Sequence, residues 1–340
     1  MSSTSQNPMV HHTPIGRPRI QWLPRRAAPV ALLVLGLTLL ITGVALAAVG
    51  SDFSQCSNNN PTLGECKWIN GIVQASNSLY VEGMSNPQRL IFDVIQSGTT
   101  HTIGFSHQFT KGGLHAYDFI TSWDQAVDSA ADIAGMTLTL NQCANLATAW
   151  ATKCNALHGT GAFFVDIELP DDTFVSKDGA TDTRIAAFET VYGNRTMRLY
   201  SMSAFVGTPT VTLAHDPAGA GTDTGDSDVF ITVTYTTEAV SEAVLLEFAG
   251  HLARSGTGTG AWGTGLGAGF ISGGPFHIKD VSFDGVGGSQ DNQIQSPPNP
   301  TAVTLTSLTA HPTLGWLPFA MVISGVFLLA TLGVVFVRRR

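Results

Sequence analysis

The chain has 340 residues, of which only 12% are charged, with 25 acidic against 17 basic side chains. All acidic residues lie between Asp52 and Asp291, and seven arginines lie outside that stretch, so the central body holds ten basic against 25 acidic residues and a net charge near −15. This charge excludes nucleic acid as a partner, because phosphates need clustered cations. Cationic partners or divalent metals fit the body better.

An uncharged apolar run at 27–49 follows four arginines. It has about 23 residues, enough to cross the roughly 30 Å of bilayer hydrocarbon at 1.5 Å per residue. Ala45 and Ala47 stand where a signal peptidase needs small residues, so 1–49 is predicted to be a cleaved signal peptide, with an uncleaved signal anchor as the alternative. Either interpretation places the body on the far side of the membrane.

The four cysteines lie in the body as two close pairs, Cys56 with Cys66 and Cys143 with Cys154. Two local disulfides are the simplest pairing, although four cysteines allow three connectivities. An even number of cysteines in an oxidising compartment favours disulfides. A zinc site is the alternative, but the Cys-x-x-Cys spacing typical of structural zinc sites does not occur.

Alternation of apolar and polar residues dominates the body and predicts half-buried strands. The predicted strands are 103–109, 163–169, 196–202, 210–213, 229–235 and 244–248. The run 89–95, separated from 103–109 by turn residues, predicts a hairpin with it. Short helices are expected at 114–131 and 142–152. Together, these strand and helix patterns predict a mainly β fold, which is an antiparallel β-sandwich ectodomain with short inserted helices.

A boundary near 159–162 would divide the body into a first β-rich unit at 50–162, which holds both cysteine pairs, and a β-sandwich unit at 163–294. One continuous sandwich is an equally open interpretation.

Two stretches of the body combine residue types that could bind a ligand. His115 and Asp118 lie three residues apart in a predicted helix and would face each other there, as a base with an orienting carboxylate or as a structural tie. Farther along, His251, Trp262 and His277 lie in a Gly-rich region and are the candidate ligand-binding residues. The alternative is that glycines let the chain pack under Trp262, with both histidines hydrogen-bonded inside.

One Gly-rich loop region is crowded with carboxylates, and oxygen-rich loops of this kind bind hard cations such as Ca²⁺. The candidate metal ligands are Asp216, Asp223, Asp226 and Asp228. Their spacing is not that of an EF-hand, and solvated turn residues are the alternative interpretation. Calcium is therefore the one cofactor that the sequence suggests.

The C-terminal part predicts a membrane anchor. Residues 295–315 are rich in Pro and Thr and predict a stiff stalk. The apolar run 316–337 predicts a transmembrane helix, and the terminal arginines 338–340 predict its cytoplasmic end. We therefore expect a cell-membrane protein with its body outside, spanning once, or twice if the N-terminal segment is retained.

The stretches 111–121 and 250–277 resemble a family of secreted bacterial cell-surface proteins of unassigned activity. The first stretch follows the pattern Lys-x-Gly-x-His-Ala-x-Asp-Phe/Tyr-Leu/Ile-Thr, with Phe119 and Ile120 at its variable positions. The second stretch contains three shorter patterns: Gly-His-Ile/Leu-Ala, Trp-Gly, and Ile-Ser-Gly-x-Pro-Phe/Tyr-His. Leu252 and Phe276 fill their variable positions. The resemblance spans about 68–277 and implies a surface or cell-wall location without a known chemistry.

The leading functional hypothesis is a membrane-anchored surface protein with a non-enzymatic adhesive, ligand-binding or structural ectodomain and an unidentified extracellular ligand or surface polymer as partner. The rival is an extracellular hydrolase acting on a surface polymer. Its candidate acid and base groups are Asp166 or Glu168 with His115 or His251. A calcium-stabilised scaffold is the third interpretation.

Overall fold

The computed structural model describes residues 50–95, 98–172, 174–175, 183–216, 225–288 and 290–295. The predicted segments at 1–49 and 316–340, most of the stalk, and Asp223 lie outside these ranges. Within them, no helix is both long and apolar enough to cross a bilayer.

Strands make up most of the body. In chain order they are β1 (Ser51–Asn59), β2 (Leu63–Ile69), β3 (Ile72–Val73), β4 (Ser85–Ile95), β5 (Thr100–Lys111), β6 (Leu114–His115), β7 (Tyr117–Thr121), β8 (Phe163–Glu168), β9 (Thr196–Ser201), β10 (Thr210–Asp216), β11 (Ser227–Thr236), β12 (Ser241–Leu252), β13 (Phe276–Phe283), β14 (Val286–Gly287) and β15 (Asp291–Ile294). The described helices are α1 (Trp123–Ala134), α2 (Thr148–Leu157) and α3 (Thr183–Tyr192), with a 3₁₀ turn at Ala268–Phe270.

The strands form two sheets. The first has the order β2-β1-β4-β12-β9-β8, with β7 also paired to β12. The second has the order β10-β11-β5-β13-β15-β3, with β6 on β5 and β14 on β13. The pairings are antiparallel, except that β15 and β3 run parallel. The predicted mainly β class is therefore confirmed.

Aromatic side chains of the two sheets meet in the core. The ring of Phe105 on β5 lies 4.3 Å from that of Phe248 on β12, and Phe92 on β4 lies 4.8 Å from Phe283 on β13. Strand β11 alternates buried and partly exposed residues along its whole length, as a strand with one face in a core does. Apolar burial between the sheets thus follows from the alternation in the sequence.

The predicted hairpin between 89–95 and 103–109 is wrong. Strand β4 lies in the first sheet between β1 and β12, whereas β5 lies in the second sheet between β11 and β13. Because both edges of β4 are occupied by other strands, the chain after it passes to the other sheet instead of folding back. Both sheets also take strands from either side of residue 162.

The predicted helix at 114–131 is partly wrong, because its first residues form β6 and β7. Helix α1 begins only after Ser122, whose hydroxyl accepts from the Gln125 backbone N–H while the Gln125 side chain accepts from the Ser122 N–H. This reciprocal cap fixes the helix start, and Gly135 in the left-handed conformation ends it. The second predicted helix, 142–152, is displaced to α2, and α3 was not predicted.

The local cysteine pairing is confirmed. Cys56 on β1 is bonded to Cys66 on β2, and Cys143 is bonded to Cys154 on α2. The second disulfide ties α2 to the segment before it, so that Leu157 packs with Ile91 on the outer face of the first sheet. Helix α1 covers the same face, where Trp123 stacks on Trp68 at 5.0 Å.

Candidate ligand-binding site

Asp118 on β7 is the centre of a buried polar cluster. Its side chain is fully buried, and its Oδ1 lies 2.6 Å from Nδ1 of His251 on β12. Its Oδ2 accepts a hydrogen bond of 3.1 Å from Nε1 of Trp262. Because an ionised carboxylate only accepts, Nδ1 of His251 carries the hydrogen of the first bond. The two stretches 111–121 and 250–277 therefore meet at one carboxylate.

Strand pairing fixes the His251 ring. His251 lies opposite Phe119 in the antiparallel pair of β12 and β7, and the two rings stack at 4.3 Å with an angle of 7°. The neighbouring position must be glycine, because a Cβ on Gly250 would lie 2.7 Å from Cδ1 of Tyr117. The ring is thus held by packing on one side and by Asp118 on the other.

The indole of Trp262 lies between the imidazole of His115 and the guanidinium of Arg184. His115 stacks on the indole at 3.4 Å and 15°, and the guanidinium of Arg184 lies 3.8 Å from the ring centroid. Two groups at such distances cannot share one face of the indole, so they occupy opposite faces. This stack, with the bond to Asp118, fixes the orientation of the Trp262 ring.

A cavity of about 310 Å³ opens beside His251. Its walls include the apolar and aromatic residues Phe119, Phe188 and Val191 and the cations Arg184 and Arg254. Since Nδ1 of His251 faces Asp118, the other ring nitrogen, Nε2, is the one available to the cavity. Nε2 has no hydrogen-bond partner among the described residues.

A more open cavity of about 440 Å³ adjoins the first one. It is lined by Arg184 and by the Gly-rich loop 256–263, and Arg184, Thr259 and Gly260 line both cavities. With no bulky side chains between Gly256 and Gly260, this loop presents backbone groups to the cavity.

The three predicted ligand-binding residues do not form one group. His251 and Trp262 meet at Asp118, but Nδ1 of His277 on β13 pairs with Asp291 on β15 at 2.9 Å. His115 and Asp118 do not face each other on a helix, because they lie on the short strands β6 and β7, although both contact Trp262, His115 by stacking and Asp118 by accepting from its Nε1. His277 thus lies apart from the cluster that joins His115, Trp262, Asp118 and His251.

The structure describes only part of the acidic region in which a calcium site is predicted. Asp216 lies directly opposite Asp228 in the pair of β10 and β11, and Asp226 accepts a hydrogen bond of 2.7 Å from the Gly112 N–H. Burial raises the pKa of Asp228, and the neighbouring Asp216 and Asp226 raise it further. In the described part of the chain, the only cluster of potential metal ligands is Cys143, Cys154 and His158, whose cysteines form a disulfide. The calcium site stays a prediction.

A second cleft, of about 190 Å³, lies over the first sheet and includes Trp123 of α1. Its floor carries Glu247, Arg198 and Asp166 on three adjacent strands. Arg198 holds Asp166 through two hydrogen bonds of 2.6 and 2.9 Å. Burial raises the pKa of Glu247. Nε2 of His158 lies 3.1 Å from Glu247 Oε1, but the two atoms are not aligned as a hydrogen bond.

Sequence reasoning missed the two arginines of the cavity and the partner of His251. Arg254 follows the Gly-His-Leu-Ala stretch directly, and Arg184 is the second residue of the unpredicted helix α3. The scarcity of cations in the body was the only available signal for either residue. No protein-family model matches the chain, and no curated protein or solved structure matches it either.

Proposed function

We propose that this chain is a membrane-anchored surface protein whose ectodomain binds a small extracellular ligand in the His251 cavity. The ectodomain is an antiparallel β-sandwich, presented on the stalk 295–315 by the transmembrane helix 316–337. The apolar runs at 27–49 and 316–337, each with arginines on the same expected side, support this topology.

The cavity beside His251 carries the ligand-binding proposal. Its volume of about 310 Å³ falls at the lower end of small-molecule sites, roughly 300 to 1,000 Å³. Such sites combine apolar walls with a few oriented polar groups. Phe119 and Phe188 supply the walls, and His251, fixed by Asp118, supplies an oriented nitrogen.

A cavity-filling substitution tests this proposal. Ala187 lines the cavity from α3, whereas the adjacent Ala186 is exposed and does not line it. The full-length chain in mild detergent would be unfolded thermally with neutral sugars, amino acids and organic phosphates at millimolar concentration. Binding at about 100 times Kd stabilises by about 2.7 kcal/mol, or on the order of 5 °C.

We expect at least one compound class to raise the midpoint of the parent chain and of Ala186→Phe but not of Ala187→Phe. A compound that stabilises all three forms equally binds elsewhere and counts against the cavity. If no class stabilises the parent chain, the proposed ligand-binding function is wrong.

Cell fractionation tests the anchor separately. The full-length protein should sediment with membranes, and external protease should degrade its body in intact cells. Deletion of 316–340 should release the body from the membrane fraction. A soluble full-length protein, or a body protected from external protease, would contradict the topology.

A second candidate function is an extracellular hydrolase, which the Asp118–His251 pair favours. A carboxylate that orients an imidazole and leaves Nε2 available is the arrangement of a general base. Of the earlier candidates, only His251 lines the cavity, and Asp166 is held by Arg198. Wild-type protein should then cleave a chromogenic ester, phosphate or glycoside, and His251→Gln should abolish cleavage while binding persists. Inactivity of the parent chain on all three would exclude this candidate.

A further inference from the structure

The end of helix α2 brings three potential metal ligands together. His158 caps the helix with helical backbone angles and follows Cys154 by four residues, so the two side chains lie on one face. Cys143 comes from the segment before the helix. One sulfur or ring nitrogen from each of the three residues lies within 4.8 Å of the others. The cysteines form a disulfide in the structure, and its reduction would leave two thiols beside an imidazole.

The two disulfides differ in what their reduction would expose. Cys143 and His158 are partly exposed, which gives an ion access from solvent, whereas Cys154 is buried. Cys56 and Cys66 are both buried, and no histidine or carboxylate of the described ranges joins them as a third ligand. Only the pair at α2 therefore has the surroundings of a metal site.

Glu247 on β12 lies where a partner of a ligating histidine is needed. Its Oε1 is 3.1 Å from Nε2 of His158, and its side chain is 4% exposed. The His158 ring also packs edge-on against Tyr200 at 4.6 Å. A metal-bound histidine usually donates its second ring N–H to a carboxylate, which orients the ring and makes it a better ligand. The first sheet thus supplies the support that this histidine requires.

Contacts other than the disulfide also hold α2 on the sheet. Leu157 packs in a buried cluster with Ile91 and Leu245. Lys153 forms an ion pair of 2.9 Å with Asp93. Reduction removes the covalent link and leaves these contacts, so the two thiols stay close enough to bind the same ion.

We propose that the Cys143–Cys154 disulfide, when a dithiol reduces it, becomes a zinc site with His158 as the third protein ligand. The dithiol gives two electrons and two protons to the disulfide and becomes a disulfide itself. Zn²⁺ then displaces the two thiol protons and binds both thiolates at about 2.3 Å and the imidazole at about 2.0 Å. Two cysteines, one histidine and a water form a known type of open tetrahedral zinc site.

The zinc ion and the disulfide are then alternative links between α2 and the segment before it. The inference goes beyond the proposed ligand-binding function and does not depend on it, because none of these residues lines the His251 cavity.

Titration of the full-length chain with Co²⁺ in mild detergent tests the inference. Co²⁺ in a tetrahedral thiolate site absorbs visible light strongly, and Zn²⁺ displaces it. The chain is first reduced with a phosphine under nitrogen. The oxidised parent chain retains every other histidine and carboxylate and supplies the background. We expect the reduced chain to bind one Co²⁺ with these bands and to release it to Zn²⁺, and the oxidised chain to show no bands.

Substitutions identify the ligands. Cys143→Ser should abolish the bands, whereas Cys56→Ser removes one sulfur of the other pair and should leave them unchanged. Glu247→Gln should raise Kd about tenfold or more, the usual effect of losing a partner of a ligand. His158→Gln removes the ligand itself and should raise Kd at least as much.

Equal Co²⁺ binding by the reduced and oxidised parent chains would overturn the inference, and so would an unchanged Kd in His158→Gln. Bands that are lost in Cys56→Ser but kept in Cys143→Ser would place the ion at the other pair and would also overturn it. Thermal unfolding of each oxidised variant shows that it folds. His158→Gln leaves both disulfides intact, so this outcome stays decisive if a cysteine variant does not fold.

Discussion

The His251 cavity and the Glu247 cleft place similar residues in different surroundings. Each contains a buried carboxylate close to a histidine. At the cavity, Asp118 takes two hydrogen bonds and leaves one histidine nitrogen without a protein partner. At the cleft, Glu247 belongs to a row across four strands in which Arg89, Glu247, Arg198 and Asp166 alternate in charge. At the cleft, Glu247 lies between oppositely charged neighbours although its Oε1 accepts no hydrogen bond, whereas at the cavity the carboxylate is hydrogen-bonded and a histidine nitrogen is left without a partner.

The largest expected difference between the two regions concerns their aspartates. Asp118→Ala leaves the buried N–H groups of His251 and Trp262 without their acceptor and should lower the free energy of unfolding by about 3 to 5 kcal/mol. Asp166→Ala removes a partly exposed ion pair and should cost about 0 to 1 kcal/mol. Denaturant unfolding of both variants measures this, and equal losses would contradict the contrast.

Acid should destabilise the folded chain through His107, a buried residue of β5. Burial lowers the pKa of this histidine to about 4, although the nearby Asp172 opposes the shift. Between pH 6.5 and 4 the unfolded chain binds a proton that the folded chain does not, so stability falls as pH falls, on the order of 2 to 3 kcal/mol by pH 4.

His107→Gln removes this proton linkage. Thermal midpoints of the parent chain and the variant, compared at pH 7 and pH 4.5, should show a smaller acid-induced decrease in the variant. Parallel pH profiles would show that His107 takes up its proton equally in the folded and unfolded states.

Glu247 should make the free energy of unfolding depend on pH in the opposite direction to His107. Burial raises the pKa of Glu247, with His158 and Arg198 opposing it. The folded chain therefore takes up this proton at higher pH than the unfolded chain, and the associated stability is present at low pH and lost as pH rises through the raised pKa. Glu247→Gln should raise the thermal midpoint at pH 7, with a smaller gain at pH 4. A loss at pH 7 would mean that its contacts with His158 and Arg198 outweigh burial.

The smallest effect is expected at the acidic region. Asp226 already accepts from Gly112, and Asp216 and Asp228 do not form a cluster of three ligands with any other described residue. If the predicted calcium site exists, excess Ca²⁺ should raise the thermal midpoint of the full-length chain slightly, and EDTA should lower it. A midpoint that neither addition changes would leave these aspartates as turn residues.

Alternation in the sequence predicted some strands and not others: β2 and β13 also alternate and were missed, whereas β5 is buried along most of its length and was predicted. Strand β11 alternates and was predicted, whereas the central residues of β1 are polar yet buried, because one face meets the core and helices cover the other side of the sheet. Local alternation cannot report such two-sided burial. The predicted hairpin between 89–95 and 103–109 was also wrong because it relied on local signals. Turn residues after a strand do not determine which sheet the next strand joins.

The candidate site was predictable in its residue types but not in its contacts. His251, Trp262 and Asp118 each stood out in the sequence, yet Asp118 and His251 are 133 residues apart and meet only through the pairing of β7 with β12. His277 was grouped with them by composition and pairs with Asp291 instead. Long-range strand register decides such pairings, and no local pattern contains it.

Nitrogen NMR of the His251 ring tests the central claim most directly. The full-length chain would be labelled with ¹⁵N-histidine, with His251→Gln identifying the signals. We predict a proton on Nδ1, held by Asp118, and a change in the Nε2 signal when a compound that stabilises the parent chain but not Ala187→Phe is added. A neutral ring protonated on Nε2 alone, with no response to the ligand, would contradict both the orienting role of Asp118 and the cavity as a binding site.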